Sequence, residues 1–427
     1  MNTADSRRVA AALEALGYAA VPRAEQADVI VLNTCVVRQS AENKAIGRLT
    51  SLKGIKEKKP GMVINLMGCM VGIQGSTLLR EQYPFVDVFS PPSDPVPLVE
   101  FLAGDARALQ GNRRSDIDAL LDEETAFHLP KSGEGKEVTA FLPAVLGCSH
   151  ACSYCVIPLR RGREQSRPVA DILADARRLA SQGVKEITLL GQIIDRYGLD
   201  LAGKPSLSRL LREVHAVEGL ERIRFLTSHP NWMNAELLDT VAELPRVMPH
   251  FELPIQAGDD EVLARMRRGY TAEKFMRIVE EIRARFENVS IATDLIIGFP
   301  GESDTQFERS VQVLEAMHPD MTHAARYSPR PGTASALNMA DDVPPAEKLR
   351  RFRVVENLQE RISREINQGY LGRKTEVLFE GKSKKRWRGR TPTNKLVFAE
   401  SDENLLGQVR EVQITWTGPW SMIGAVA

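Results

Sequence analysis

The segment "LGCSHACSYCVIPLRRG", Leu146 to Gly162, places Cys148, Cys152 and Cys155 within eight residues of a 427-residue chain that has only five cysteines. Three thiolates spaced C-x3-C-x2-C can ligate a metal if the loop folds around it. A structural zinc site closes with four cysteine or histidine ligands, and three leave one position open. His150 is too near Cys148 to complete such a site without strain, and no second C-x2-C pair completes it either. A [4Fe–4S] cluster on three thiolates leaves one iron free for a small molecule, at potentials low enough for one-electron reduction. Packing alone explains three neighbouring loop cysteines poorly. The residues favour an iron–sulfur cluster, with zinc or a purely structural role as the alternatives.

Other residues are candidates by position. Cys35 ends "DVIVLNTC" and Cys69 ends "MVINLMGC", each closing a short apolar run that reads as a buried parallel strand. Strand ends of open parallel sheets share one edge, where ligands bind, so the two thiols are expected to be neighbours; ordinary burial is the alternative. Gly191 and Gln192 end another strand, and Gly298 and Gly301 belong to the turn "GFPGE". Both places are expected to approach a cofactor, against the alternative of plain tight turns. Arg160 and Arg161 suit a phosphate or carboxylate, although exposed arginines often meet neither. His229 in "TSHP" reads as a hydrogen-bonded barrel residue.

The elements that must position these residues fall into three regions. Residues 1–102 alternate helical and strand patterns, a doubly wound α/β domain. Residues 103–133 are polar and irregular, a linker. Residues 134–366 hold six strand candidates, "TAFLPAVLG", "EITLLG", "RIRFLTS", "HFELPI", "SIATDLIIGF" and "HAARYS", with helical stretches between them. Six such units fit an incomplete (β/α)6 TIM-like barrel, with the cysteine loop after its first strand, at the end where barrel active sites form. Residues 367–427 are short strands and turns, a small all-β barrel. It carries Lys382, Lys384, Lys385, Arg386, Arg388 and Arg390 around Trp387, a pattern suited to RNA backbone contact and base stacking; a solvated basic loop is the alternative.

Composition sets the outer bounds. Charged residues make up 26% and hydrophobic ones 43%, and the formal net charge is zero, so no global field draws the chain to nucleic acid or membrane. The start lacks the layout of a signal peptide, and no run reaches the roughly 18 apolar residues of a membrane span. An odd, low cysteine count argues for a reducing compartment. The expectation is a cytoplasmic, monomeric multidomain enzyme.

At the cysteine loop, with Tyr154 before its last cysteine, the chain resembles the radical S-adenosylmethionine superfamily. "GCSHACSYCVIPLRRGREQSRP" is similar to the methylthiotransferase version. "NTCVVRQSAENKAIGRL", "LMGCM", "LTSHP", "HFELPIQAGDDEVLARMRRGYT", "TDLIIGFPGE" and "YSPRPGTASA" follow the family's order over nearly the whole chain, and a TRAM-like RNA-binding barrel ends it. The resemblance implies a [4Fe–4S] cluster on Cys148, Cys152 and Cys155 whose open iron chelates S-adenosylmethionine, one electron then giving a 5′-deoxyadenosyl radical. A carbon radical can take a hydrogen from an aromatic C–H that has no useful acidity. Tyr154, Gly191, Gln192, Gly298 and Gly301 are assigned to cofactor binding, and Cys35 and Cys69 to a second cluster. The implied reaction is methylthiolation at C2 of N6-dimethylallyladenosine beside the tRNA anticodon, with an electron donor and a sulfur source as unidentified partners. Threonylcarbamoyladenosine, a ribosomal-protein aspartate, or a non-catalytic RNA-binding role with a structural metal are the alternatives.

Two departures stand out. Where the family reads G-Q-N-V-N-S-Y this chain reads "GQIIDRYG", with Ile193 and Asp195 in place of amides. The family also opens on a strand leading into G-C-Q-M-N, whereas this chain opens on a helix at "MNTADSRR". The expectation is a true start upstream of Met1, bearing the first strand and the third cysteine of the second cluster. For the chain as written, that second cluster is expected to be weak or absent and methylthiolation impaired.

Overall fold

The computed structural model describes residues 1–75, 77–104 and 137–427. The expected linker begins inside helix Val96–Gly104 and otherwise lies outside the described residues. Strands β1 (Val29–Thr34), β2 (Val63–Gly68) and β3 (Val88–Ser90) form a parallel sheet in that order. Side chains alternate across a strand, so β2 serves two cores at once. Ile64 and Leu66 pack with Leu49 and Leu52 of helix Gln39–Lys58. Met67 and Val63 meet Val9 and Ala12 of helix Asn2–Ala15 and its capping residue Leu16 on the other face. Helices on both faces make this the doubly wound layer expected.

In the central region β4 (Thr139–Pro143), β7 (Glu186–Leu190) and β8 (Arg222–Leu226) form one parallel ladder. A second joins β9 (His250–Glu252), β10 (Ser290–Ile297) and β11 (Met321–Arg326). The Ile223 amide donates to the Arg246 carbonyl at 2.7 Å, and the Met248 amide to the Ile223 carbonyl at 2.9 Å, which stitches the two together. Among the described residues no ladder joins β11 to β4, so six parallel strands make an open barrel. Its interior is one continuous apolar core that includes Leu142, Leu189, Phe225, Phe251 and Ile297. A two-residue hairpin, β5 (Val145–Leu146) with β6 (Gln165–Ser166), brackets the cysteine loop.

Strands β12 (Lys374–Ser383), β13 (Arg386–Arg390), β14 (Leu396–Glu400), β15 (Val409–Thr417) and β16 (Met422–Val426) close a barrel in the order β12-β13-β14-β16-β15. Its β13–β14 turn caps the barrel mouth opposite the cysteine loop. Buried Arg224 pairs with Glu186 at 3.0 Å and donates to the carbonyls of Thr391 and Pro392 at 2.9 and 2.8 Å. Arg222 donates to the Arg390 carbonyl at 2.6 Å, and Lys395 pairs with Asp320 at 2.6 Å. Among the described residues no helix is long and apolar enough to cross a membrane.

Candidate active site

The cysteine loop is built by local constraints. Gly147 turns the chain out of β5 at φ +67°, where a Cβ would lie 2.1 Å from the Arg163 carbonyl oxygen, so only glycine fits. The Cys148 amide then donates to the Gly162 carbonyl at 3.1 Å. Ser153 is the loop's anchor. Its amide donates to the Met266 carbonyl at 3.1 Å, its hydroxyl to the Arg265 carbonyl at 2.8 Å, and its carbonyl accepts from Ser335 at 2.8 Å. Helix Ile157–Arg161 follows, with Pro158 in its first turn, where a missing amide hydrogen costs nothing.

The loop forms one wall of a cavity of about 720 Å³. Cys148, Cys152, Tyr154 and Cys155 line it, with Gln192, Thr227, His229 and Gln256 from strand ends, and Val37 to Ser40 from the N-terminal domain. Thr227 and Gln256 hold φ of 73° and 71°, strained conformations of the kind that gather at working sites. Burial raises the Cys148 thiol and pushes Cys155 up to about 12. A buried thiolate therefore needs cationic company, which metal ligation supplies.

Arg268 supplies further positive charge. It is 5% exposed and donates to the Cys152 sulfur at 3.2 Å, to the Tyr270 hydroxyl at 2.9 Å and to the Pro254 carbonyl at 3.3 Å. Burial opposes its charge, but Tyr154, Tyr270 and Cys152 outweigh that and raise its pKa. His150 Nδ1 lies 3.1 Å from the Cys152 sulfur, and its ring is 4.7 Å from that of His229. Burial, with Arg268 close by, lowers His150 to about 4 and His229 to about 2, so both rings are neutral at pH 7. His229 is thus a neutral wall residue, not an acid.

Asp195 explains one departure. One carboxylate oxygen accepts from the His229 amide at 2.9 Å, while the other is buried with no partner. Burial pushes the group up to about 7, so its carboxyl is held partly protonated near neutrality. Ile193 packs with Cys148 and Ile157, and all three line the cavity.

The other candidates divide by where the fold puts them. Gln192 and Tyr154 face the cavity. Gly191 lies against Ile194, Gly298 holds φ +71° beside Lys348, and Gly301 sits by Arg265, none of them among the cavity-lining residues. Cys35 and Cys69 directly follow Thr34 and Gly68, paired residues of β1 and β2; the Cys69 amide donates to the Thr34 carbonyl at 3.1 Å, and Arg161 stands beside Cys69, whose thiol burial raises. Arg161 is buried rather than exposed, paired with Asp5 at 3.1 Å and donating to Asn2 at 2.7 Å and Ser93 at 3.2 Å. Lys382, Lys384, Lys385, Arg386 and Arg388 are exposed. Arg390 is half-buried, bonding the Asn394 carbonyl at 3.0 Å. Trp387 corrects an expectation. It is 5% exposed in the small barrel's core, its indole donates to the Ser401 carbonyl at 3.2 Å, and Lys382 lies over its ring, which leaves no face for a base. Sequence reading missed Arg268, although "RMRRGYT" was among the matching stretches; its burial is a tertiary fact that no local pattern carries.

The donor set fits an iron–sulfur cluster. All three loop cysteines are free of disulfides and reach one cavity beside a buried arginine. Among the described residues no three His, Cys, Asp or Glu side chains converge on a single ion; a cubane does not ask for that, because each thiolate takes a different iron. An open barrel with this loop at its strand ends defines a radical S-adenosylmethionine protein, and the Radical SAM superfamily pattern matches residues 142–314. Residues 1–90 match the uncharacterized protein family UPF0004. The fold is similar to that of the radical S-adenosylmethionine methyltransferase TsrM from Kitasatospora setae, at TM-score 0.54 and 15% identity, over 76% of this chain and 65% of that one. More specifically, the chain belongs to the family of tRNA-2-methylthio-N(6)-dimethylallyladenosine synthases. It is 44% identical to that enzyme of Herpetosiphon aurantiacus, over 99% of this chain and 94% of the relative. It is 45% identical to those of a Roseiflexus species, over 100% and 87%, and of Chloroflexus aurantiacus, over 99% and 89%. Membership removes the non-catalytic reading.

Proposed function

We propose that this chain transfers a methylthio group to C2 of N6-dimethylallyladenosine in tRNA. The observation that carries the reading is three free thiols on one anchored loop, opening on a cavity large enough for S-adenosylmethionine, in a chain of this family. Cys148, Cys152 and Cys155 would hold a [4Fe–4S] cluster, which when bound and reduced would supply the one electron that breaks the C–S bond of S-adenosylmethionine into methionine and a 5′-deoxyadenosyl radical. The protein's part is placement and shielding. Arg268 offsets negative charge at Cys152, Ser153 fixes the loop, and Tyr154 and Gln192 line the cavity that would hold the cofactor. Gly298 and Gly301 act through the turn they shape, and Gly191 through close packing at its strand end.

Cys35 and Cys69 supply two thiols toward a second cluster, but the sequence contains no third cysteine outside the loop, so this pair by itself does not make a three-thiolate site. The exposed Lys382, Lys384, Lys385, Arg386 and Arg388 favour contact with the RNA backbone. A one-electron reductant and a sulfur donor are required partners, in the cytoplasm where tRNA is modified. The test is mass spectrometry of tRNA nucleosides from a strain lacking the gene. The 2-methylthio-N6-dimethylallyl nucleoside should vanish and its N6-dimethylallyl precursor accumulate. Loss of a different methylthio nucleoside would overturn the substrate assignment.

A further inference from the structure

We propose that Arg330 is a positioning residue that pins the Val36–Glu42 segment of the N-terminal domain over the reaction cavity. The inference rests on that cavity being the site of the proposed chemistry. Arg330 leaves the central barrel just after β11 and is 5% exposed. Its guanidinium donates to the Val36 carbonyl at 3.3 Å, to Glu42 Oε2 at 2.7 Å and to Ser328 at 2.9 Å, and it also bonds the Gln39 side chain. Three of these acceptors belong to another domain, on the short stretch that follows Cys35 and begins helix Gln39–Lys58. The planar fork matches several acceptors at once, which a lysine cannot do.

Arg330 is itself held rigidly. Pro329 and Pro331 flank it and restrict the backbone on both sides. The Arg330 carbonyl accepts from the Thr333 amide at 3.1 Å and from the Thr333 hydroxyl at 2.7 Å, and Thr333 is buried. What the clamp holds is part of the cavity wall, since Val37, Arg38, Gln39 and Ser40 line it. Arg38 also lies within electrostatic reach of Asp294 on β10. The domain has a separate attachment through Arg161, Asp5 and Asn2. Losing Arg330 should therefore free this segment and leave the domain docked. A carbon radical takes whatever hydrogen it meets, so a loosened wall shows as radicals spent without product.

The test uses the full chain as Arg330→Ala, Arg330→Lys and Glu42→Gln. Hydrogen exchange of cluster-free protein reads the clamp without any turnover. Amides of residues 36–42 should exchange about tenfold faster in Arg330→Ala, with smaller increases in the other two, while residues 3–12 stay protected. In reconstituted protein, methylthiolated nucleoside formed per 5′-deoxyadenosine should fall about tenfold in Arg330→Ala and partly recover in Arg330→Lys. Unchanged exchange in residues 36–42, or an unchanged product ratio, would overturn the proposal. Should Arg330→Ala fail to fold, Arg330→Lys and Glu42→Gln decide it. If wild-type protein forms no methylthiolated nucleoside, the proposed function fails while the exchange result still decides whether Arg330 pins the segment.

Discussion

Asp195, which stands where the family has an amide, is a buried carboxyl whose titration reaches neutral pH. Its folded-state pKa, pushed up to about 7 by burial, lies above the ordinary carboxylate value near 3.8. Between those values the folded state holds a proton that the unfolded chain has released, so stability falls as pH rises through that window and levels off above it. Asp195→Asn removes this titration. It should stabilise the protein by about 4 kcal/mol at pH 8 and by only about 0.5 kcal/mol at pH 4, read from denaturant midpoints at the two pH values. Equal effects at both would contradict the assignment. At this scale the cysteines were the legible part, because spacing is itself the signal. Arg268, Arg161 and Arg330 were not, because a surface arginine and a buried, multiply bonded one look the same in sequence.

At the scale of elements, the cysteine loop depends on the turn that launches it. Gly147→Ala would set a methyl group 2.1 Å from the Arg163 carbonyl oxygen in a left-handed conformation. The loop must shift or the hairpin open, at a cost of more than about 3 kcal/mol locally. The expected result is a protein that folds elsewhere but retains little iron after anaerobic reconstitution, by iron analysis and visible absorption. Full iron retention would show that the turn is dispensable. The strands themselves were legible from short β-branched runs, and all six central candidates are strands or strand edges. Trp387 was misread although its own strand held the answer. Along β13 the pattern is Arg386 out, Trp387 in, Arg388 out, Gly389 in, and that alternation assigns the tryptophan to the core.

At the scale of the whole molecule, the three units meet around one barrel from different sides. The N-terminal domain closes over the strand ends that carry the cysteines, attached through buried Arg161 and Arg330. The C-terminal barrel caps the opposite mouth through Arg222, Arg224 and Lys395. Domain order was legible from changes in composition and pattern, but docking was not, since it depends on single arginines meeting backbone carbonyls far away in sequence. The central claim is that the loop of Cys148, Cys152 and Cys155 makes this a radical-generating enzyme. The most direct measurement is 5′-deoxyadenosine formed from S-adenosylmethionine and dithionite by the anaerobically reconstituted chain, beside its Cys152→Ala variant. The wild-type chain should be brown and form 5′-deoxyadenosine, and the variant should form none. A colourless wild type that forms none, or a variant as active as the wild type, would contradict the account.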